Sequence, residues 1–165
     1  MITEILYVRE GSKEFHISSA AFAFPKTREE VKYYKNYIKF YGIDTIINVS
    51  DYPITPNILE FYKASGIKSV IYAPFDDRIL TPEEYPKFKR SIHLIYKKFM
   101  LEKHKGVLIH CSAGINRSAT VIAYIIHKTT NRPMTEIIED IRRSNIKREK
   151  PALTNYTFQK LLMDL

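Results

Sequence analysis

The segment Val107-Leu-Ile-His110-Cys111-Ser112-Ala113-Gly114-Ile115-Asn116-Arg117-Ser118 concentrates the residue types that could do chemistry. A short apolar run delivers Cys111, the only cysteine, into a loop of small and turn-permissive residues. Gly114 admits a positive φ where the loop must curl. A loop curled this way turns successive backbone N–H groups inward and forms a nest for an anion. The helix expected next adds its own unpaired N–H groups and the positive end of its dipole. Arg117, at its start, can fork two donors onto phosphate oxygens. Helix N-termini and nearby cations also favour a thiolate over a thiol. One loop thereby supplies a nucleophile and a cradle for a dianion. That combination suits displacement at phosphorus through a phosphocysteine intermediate.

The spacing from cysteine to arginine is a weak signal by itself. It gains force from the apolar run before it, His110, Gly114, the hydroxyl of Ser118 and the helix after it. A free cysteine is most often a small buried hydrophobe. That reading leaves Arg117 without a reason at the start of an apolar helix. Displacement at phosphorus also needs a proton for the leaving group and a base for water, and one carboxyl group can serve both steps in turn. Asp76 and Asp77 stand together after a strand candidate, and either could serve. Simple turn chemistry is the plainer account of such a pair.

The elements that must position these residues follow from hydrophobic period and punctuation. Residues 3–8 read as a short strand. Residues 28–41 read as a helix, with Val31, Tyr34, Ile38 and Tyr41 at helical spacing and Gly42 after its end. Residues 43–50 and 67–74 are β-rich runs around a short helix at 56–65. A long helix is expected from Thr81 as N-cap, with Pro82 at the first position and Glu83 and Glu84 in the first turn. It carries Phe88, Ile92, Ile95 and Phe99 inward. Residues 106–110 form a wholly apolar strand and residues 117–128 a buried helix. Pro133 opens another helix, and a last one starts near Thr154. Strands alternating with helices predict an α/β fold in one domain over 1–165. Its mainly parallel sheet has about four to five strands and helices on both faces. Ligands of such sheets sit at the carboxyl ends of the strands, which is where Cys111 falls.

Composition sets the outer limits. A chain of 165 residues predicts one domain with a core that needs no staple. Lys and Arg exceed Asp and Glu by 26 − 18 = +8. A basic balance favours a phosphorylated or polyanionic partner. A single cysteine excludes a disulfide scaffold and a cysteine-rich zinc site. The five histidines show no metal-ligand spacing, and no nucleotide P-loop is present, so neither metal nor cofactor is expected. The tyrosine-rich stretch Tyr33, Tyr34, Tyr37, Tyr41 suits packing better than base stacking. The run Arg142, Arg143, Lys147, Arg148, Lys150 is either an anion-attracting patch or a solvated face. No signal peptide or membrane-length apolar stretch is read, so the expectation is a soluble protein of a reducing, cytoplasmic compartment, with nucleus or virion left open.

The segment His110 to Ser118 matches the His-Cys-x5-Arg-Ser/Thr signature of cysteine-based protein phosphatases. Its Ala-Gly-x-Asn-Arg-Ser form resembles the dual-specificity branch, including compact poxviral members. The resemblance extends to Ile43–Asp51, to Tyr72–Asp76 and to Asn155-x-x-Phe158-Gln159 with Leu161, and covers roughly residues 43–162. It implies a protein-tyrosine-phosphatase-like fold. It assigns Cys111 as nucleophile and Arg117 as phosphate ligand and transition-state stabiliser. The amides of Ser112, Ala113, Gly114, Ile115, Asn116 and Arg117 hold phosphoryl oxygens. Ser118 donates to the sulfur, His110 orients the loop from below by hydrogen bonding, and Asn155 buttresses the loop backbone. The resemblance favours Asp76 as general acid and base, leaving Asp77 to cap or face solvent.

The activity implied is hydrolysis of phosphotyrosine and phosphoserine/threonine in proteins, through a cleft kept shallow by the short chain. Two alternatives compete. One is an RNA 5′-triphosphatase of the same superfamily, which the +8 charge would suit. Its usual loop, however, has His before the Gly and Thr-Gly after the Arg. The other is a phospho-binding module without catalysis, against which Cys111 and Arg117 both speak. Oligomeric state stays open, a homodimer included.

Overall fold

Strands buried on both faces need apolar side chains in both directions, and Ile43–Asn48 (β3) and Gly106–His110 (β5) are buried along their whole length. Successive side chains still part to opposite faces. Ile46 and Leu108 enter one core cluster, whereas Ile47, Val107 and Ile109 enter the other. A computed structural model describes residues 8–10, 13–18, 25–144 and 151–165. Its sheet also holds Val8–Glu10 (β1), Lys13–Ser18 (β2) and Ser69–Tyr72 (β4), in the order β1-β2-β5-β3-β4. The last four positions run parallel, and β1 pairs antiparallel to β2 at the edge. The expected α/β class and mainly parallel sheet are found.

The expected strand at 3–8 lies outside the described residues except for Val8, which opens β1. β2 was not foreseen. Its sequence, KEFHIS, follows β1 after the two residues Gly11-Ser12, a pairing that signals a hairpin in sequence.

Arg28–Phe40 (α1) and Pro56–Ala64 (α2) cover one face of the sheet. Tyr34 and Ile38 of α1 and Ile58 and Tyr62 of α2 pack there against Ile46 and Leu108. Thr27 Oγ1 accepts from Glu30 N at 3.1 Å, and Glu30 Oε2 accepts from Thr27 N at 3.3 Å, a reciprocal cap. Tyr85–Met100 (α3), Arg117–Thr130 (α4), Met134–Ser144 (α5) and Tyr156–Met163 (α6) belong to the other face. α4 is buried from Arg117 through Ile126, as a helix apolar all round must be. It ends at Asn131, in the left-handed region at φ 56°.

The long helix expected from Thr81 begins differently. Pro82–Glu84 forms a 3₁₀ turn, closed by Glu84 N to Thr81 O at 3.0 Å, and α3 starts at Tyr85. Pro86 has no N–H to return to the Pro82 carbonyl, so this first turn cannot close as an α-helix. At the foot of β5 the chain passes very close to the turn after α1. A Cβ on Gly106 would stand 2.7 Å from the Gly42 carbonyl oxygen. Among the described residues, no helix is long and apolar enough to cross a membrane.

Candidate active site

β5 is hydrogen-bonded to β2 on one side and β3 on the other, and the main chain of His110 also accepts from Val49 N at 3.0 Å. Cys111 follows directly and is 2% exposed, with its sulfur at the floor of the loop. The sulfur does not sit in purely apolar surroundings. Gly114 N donates to Sγ at 3.2 Å, and Ser118 Oγ lies 3.3 Å from it. Gly114 has φ 68°, the left-handed conformation expected where the loop curls.

Arg117 opens α4 and is 6% exposed. Its Nη2 donates to Ser112 Oγ at 2.8 Å and its Nη1 to the Phe75 carbonyl at 3.0 Å. Nη1 also meets Asp51 Oδ1 at 3.4 Å. Nε is buried and has no hydrogen-bond partner. A buried charged donor left unpaired is costly, so this atom favours the arrival of an anion. Asp51 reaches Arg117 because Asn48 shapes the turn after β3. Asn48 Oδ1 accepts from Ser50 N and Ser50 Oγ, and its Nδ2 donates to Tyr52 O at 2.9 Å.

The segment after β4 crosses the loop. Phe75 anchors it by packing on Phe88 of α3 and Phe158 of α6, at ring centroid distances of 5.2 and 6.0 Å. Phe88 and Phe158 are themselves stacked at 5.0 Å. Leu80 N donates to Thr157 Oγ1 at 3.1 Å, tying the end of the segment to α6. Arg78 pairs with Glu84, whose carboxyl that guanidinium and the Thr81 amide pull down to about 2.

The two adjacent carboxylates are placed in the reverse of the expected order. Asp77 Oδ2 accepts from Asn116 Nδ2 at 2.9 Å and Oδ1 from Asn155 Nδ2 at 3.0 Å, so Asp77 is the one bonded to the loop. Asp76 is 74% exposed, stands 3.9 Å from Arg78 Nε, and borders a surface cavity with Arg78, Glu84 and Lys87.

Two supporting residues also differ from expectation. Asn155 does not brace the loop backbone with its side chain. Its Oδ1 caps α6 by accepting from Thr157 N and Phe158 N, while its Nδ2 holds Asp77 and the Arg78 carbonyl. The loop backbone is braced by Leu153, whose N–H donates to Ile115 O at 2.9 Å. Leu153 takes φ 59°, a strained conformation for a branched side chain. Arg142 and Gln159 hold it there through its carbonyl. Arg142, first of the basic run, also donates to Ala152 O, so it is a structural clamp. Residues 145–150 of that run lie outside the described residues. His110 makes no side-chain hydrogen bond, because both ring nitrogens are buried without partners. Burial pushes its pKa down to about 3, so it is a neutral packed ring.

Asp51, Leu153 and the Arg142 clamp were not foreseen. The Asn48-x-Ser50-Asp51 turn was a usable signal for the first, since an Asn two residues before a Ser favours an Asx turn. No local pattern marks the other two.

Residues 27–165 match the family model for the dual specificity phosphatase, catalytic domain. The human dual specificity protein phosphatase 7 is 32% identical over 127 residues, covering 75% of this chain and 27% of that protein. The chain spans between 27% and 49% of the length of the curated relatives it matches. Among solved structures, Tk-PTP in its active form superposes with a TM-score of 0.63 at 18% identity, covering 100% of this chain and 97% of the other. Cydia pomonella PTP-2 phosphatase superposes at 0.63 and 17% identity, covering 99% and 90%.

Proposed function

The chain belongs to the dual specificity phosphatase family, and from that membership we propose that it hydrolyses phosphotyrosine and phosphoserine/threonine in proteins. The observation that carries this reading is the pairing of two groups in one loop. The Cys111 sulfur accepts an amide N–H from Gly114, and the buried Arg117 guanidinium keeps an unpartnered Nε. A phosphoryl dianion satisfies that donor and presents its phosphorus to the sulfur.

In the proposed reaction the Cys111 thiolate attacks phosphorus. The S–P bond forms as the P–O ester bond breaks, and the leaving oxygen takes a proton from a carboxyl group. Asp77 is our choice for that group, rather than Asp76, because its hydrogen bonds fix it beside Asn116 of the loop. Water then attacks the phosphocysteine and gives its proton to the same carboxylate. The S–P bond breaks, and the Ser118 hydroxyl stabilises the departing thiolate at the 3.3 Å seen here. Arg117 and the loop amides hold the equatorial oxygens through both steps.

RNA ends fit less well, since Arg142 is spent on main-chain carbonyls. A reducing, cytoplasmic setting suits a nucleophilic thiol and completes the proposal. The test is release of phosphate from phosphotyrosine and phosphothreonine peptides and from 5′-triphosphorylated RNA. Turnover of the peptides that Cys111→Ser reduces on the order of a thousandfold or more supports the reading. Turnover of RNA alone, or full activity of Cys111→Ser, overturns it.

A further inference from the structure

We propose that the side chain of Asn116 is the positioning residue for the acid, setting the Asp77 carboxylate over the loop before any substrate arrives. The inference rests on the phosphatase reading with Asp77 as proton donor.

Asn116 occupies the N-cap of α4, where an Asn side chain ordinarily accepts from the helix's free N–H groups. It makes no such bond. Instead its amide reaches outward and is used at both ends. Oδ1 accepts from Asn155 N at 3.0 Å and from Thr154 Oγ1 at 3.2 Å. Those two donors fix which end of the amide is oxygen, so the nitrogen must face Asp77. Nδ2 then donates to Asp77 Oδ2 at 2.9 Å. Asn155 Nδ2 donates to the other oxygen, Oδ1, at 3.0 Å. Asn116, Asp77 and Asn155 therefore form a closed ring drawn from three distant stretches of chain. Each carboxylate oxygen takes one amide donor, which sets the plane of the group as well as its position. The phosphate loop thereby carries its own gauge for the acid, and the 76–80 segment needs no closing movement on binding.

The test uses the whole chain and a series of aryl phosphates running from poor to good leaving groups. A misplaced acid slows formation of the phosphocysteine, which kcat/KM reads, only for those esters whose leaving oxygen needs a proton. Asn116→Ala is expected to lower kcat/KM about tenfold or more on the poorest leaving group and to leave it within about twofold on the best. Asn116→Asp keeps the size but puts an acceptor against Asp77, and its selective loss is expected to be larger. It also serves should Asn116→Ala fold poorly. The double variant Asn116→Ala/Asp77→Asn is expected to match Asp77→Asn alone within about twofold, because both act through one group.

An equal loss by Asn116→Ala and Asn116→Asp across the series overturns the inference, as does a double variant whose loss is the product of the single losses. An Asp77→Asn variant that is not selective overturns the choice of acid instead. Wild-type protein inert on every ester overturns the phosphatase reading itself.

Discussion

Arg117 Nη1 donates to the main-chain carbonyl of Phe75 at 3.0 Å. The cation of the Cys111 loop is thus tied to the segment that carries both candidate carboxylates. Phe75 meanwhile buries its ring against Phe88 and Phe158. One residue links the aromatic core to the charged site, through opposite ends.

Arg117→Lys tests how far geometry matters beyond charge. A lysine keeps the positive charge but loses the fork and cannot hold Phe75 O and Ser112 Oγ together. The expected loss in kcat/KM is about a hundredfold or more, with weaker competitive inhibition by tungstate. Steady-state kinetics with an aryl phosphate measure both. Near wild-type values would show that any cation suffices there.

Asp76→Asn and Asp77→Asn separate the two carboxylates. Asp77→Asn is expected to lower kcat/KM on esters with poor leaving groups by about a hundredfold while nearly sparing very good ones. Asp76→Asn, which removes only an exposed group beside Arg78, should change either by less than about threefold. A reversed outcome in the same aryl phosphate assay would return the acid role to Asp76.

His110 gives the fold a pH dependence of known sign. Its folded pKa, near 3, lies below the unfolded value near 6.5, so only the unfolded chain takes up its proton in between. Stability therefore falls as pH drops from about 6.5 toward 3, with a slope for this group approaching about 1.4 kcal/mol per pH unit. His110→Asn should remove that share. Urea unfolding of both proteins at pH 7, 6 and 5 reads the difference, and parallel curves would refute the assignment.

Gly106→Ala should destabilise without touching the loop. The new Cβ would meet the Gly42 carbonyl oxygen, a main-chain atom, at 2.7 Å, so β5 or the turn after α1 must shift. The expected cost is about 1–3 kcal/mol, read as a fall of several degrees in Tm. An unchanged Tm would show that the contact relaxes freely.

The sequence made the centre of the site legible and its surroundings much less so. The order β5, Cys111, loop, α4 is contiguous, and each part has its own local mark: apolar strand, Gly114, Arg117 at the helix start. What chain order could not show was which distant segment each side chain meets. Asn155 lies beside the loop, but its amide nitrogen serves Asp77 and the Arg78 carbonyl, because the cap of α6 claims its oxygen. Asp76 and Asp77 are chemically equal neighbours, and the positions of Arg78, Asn116 and Asn155 divide their contacts. Leu153 looks like an ordinary core residue in sequence, yet its N–H braces Ile115. β2 was missed since its alternation is short, although the Gly11-Ser12 pair preceding it was readable.

Because β5 is clamped between two parallel neighbours, the tip that bears Cys111 is held independently of the stretch after β4 that brings Asp77 to the loop. That stretch can be lengthened, shortened or exchanged by evolution or by engineering while the Cys111 sulfur keeps its address. A scaffold divided in this way lets target choice diverge quickly among descendants that share one unaltered chemical engine.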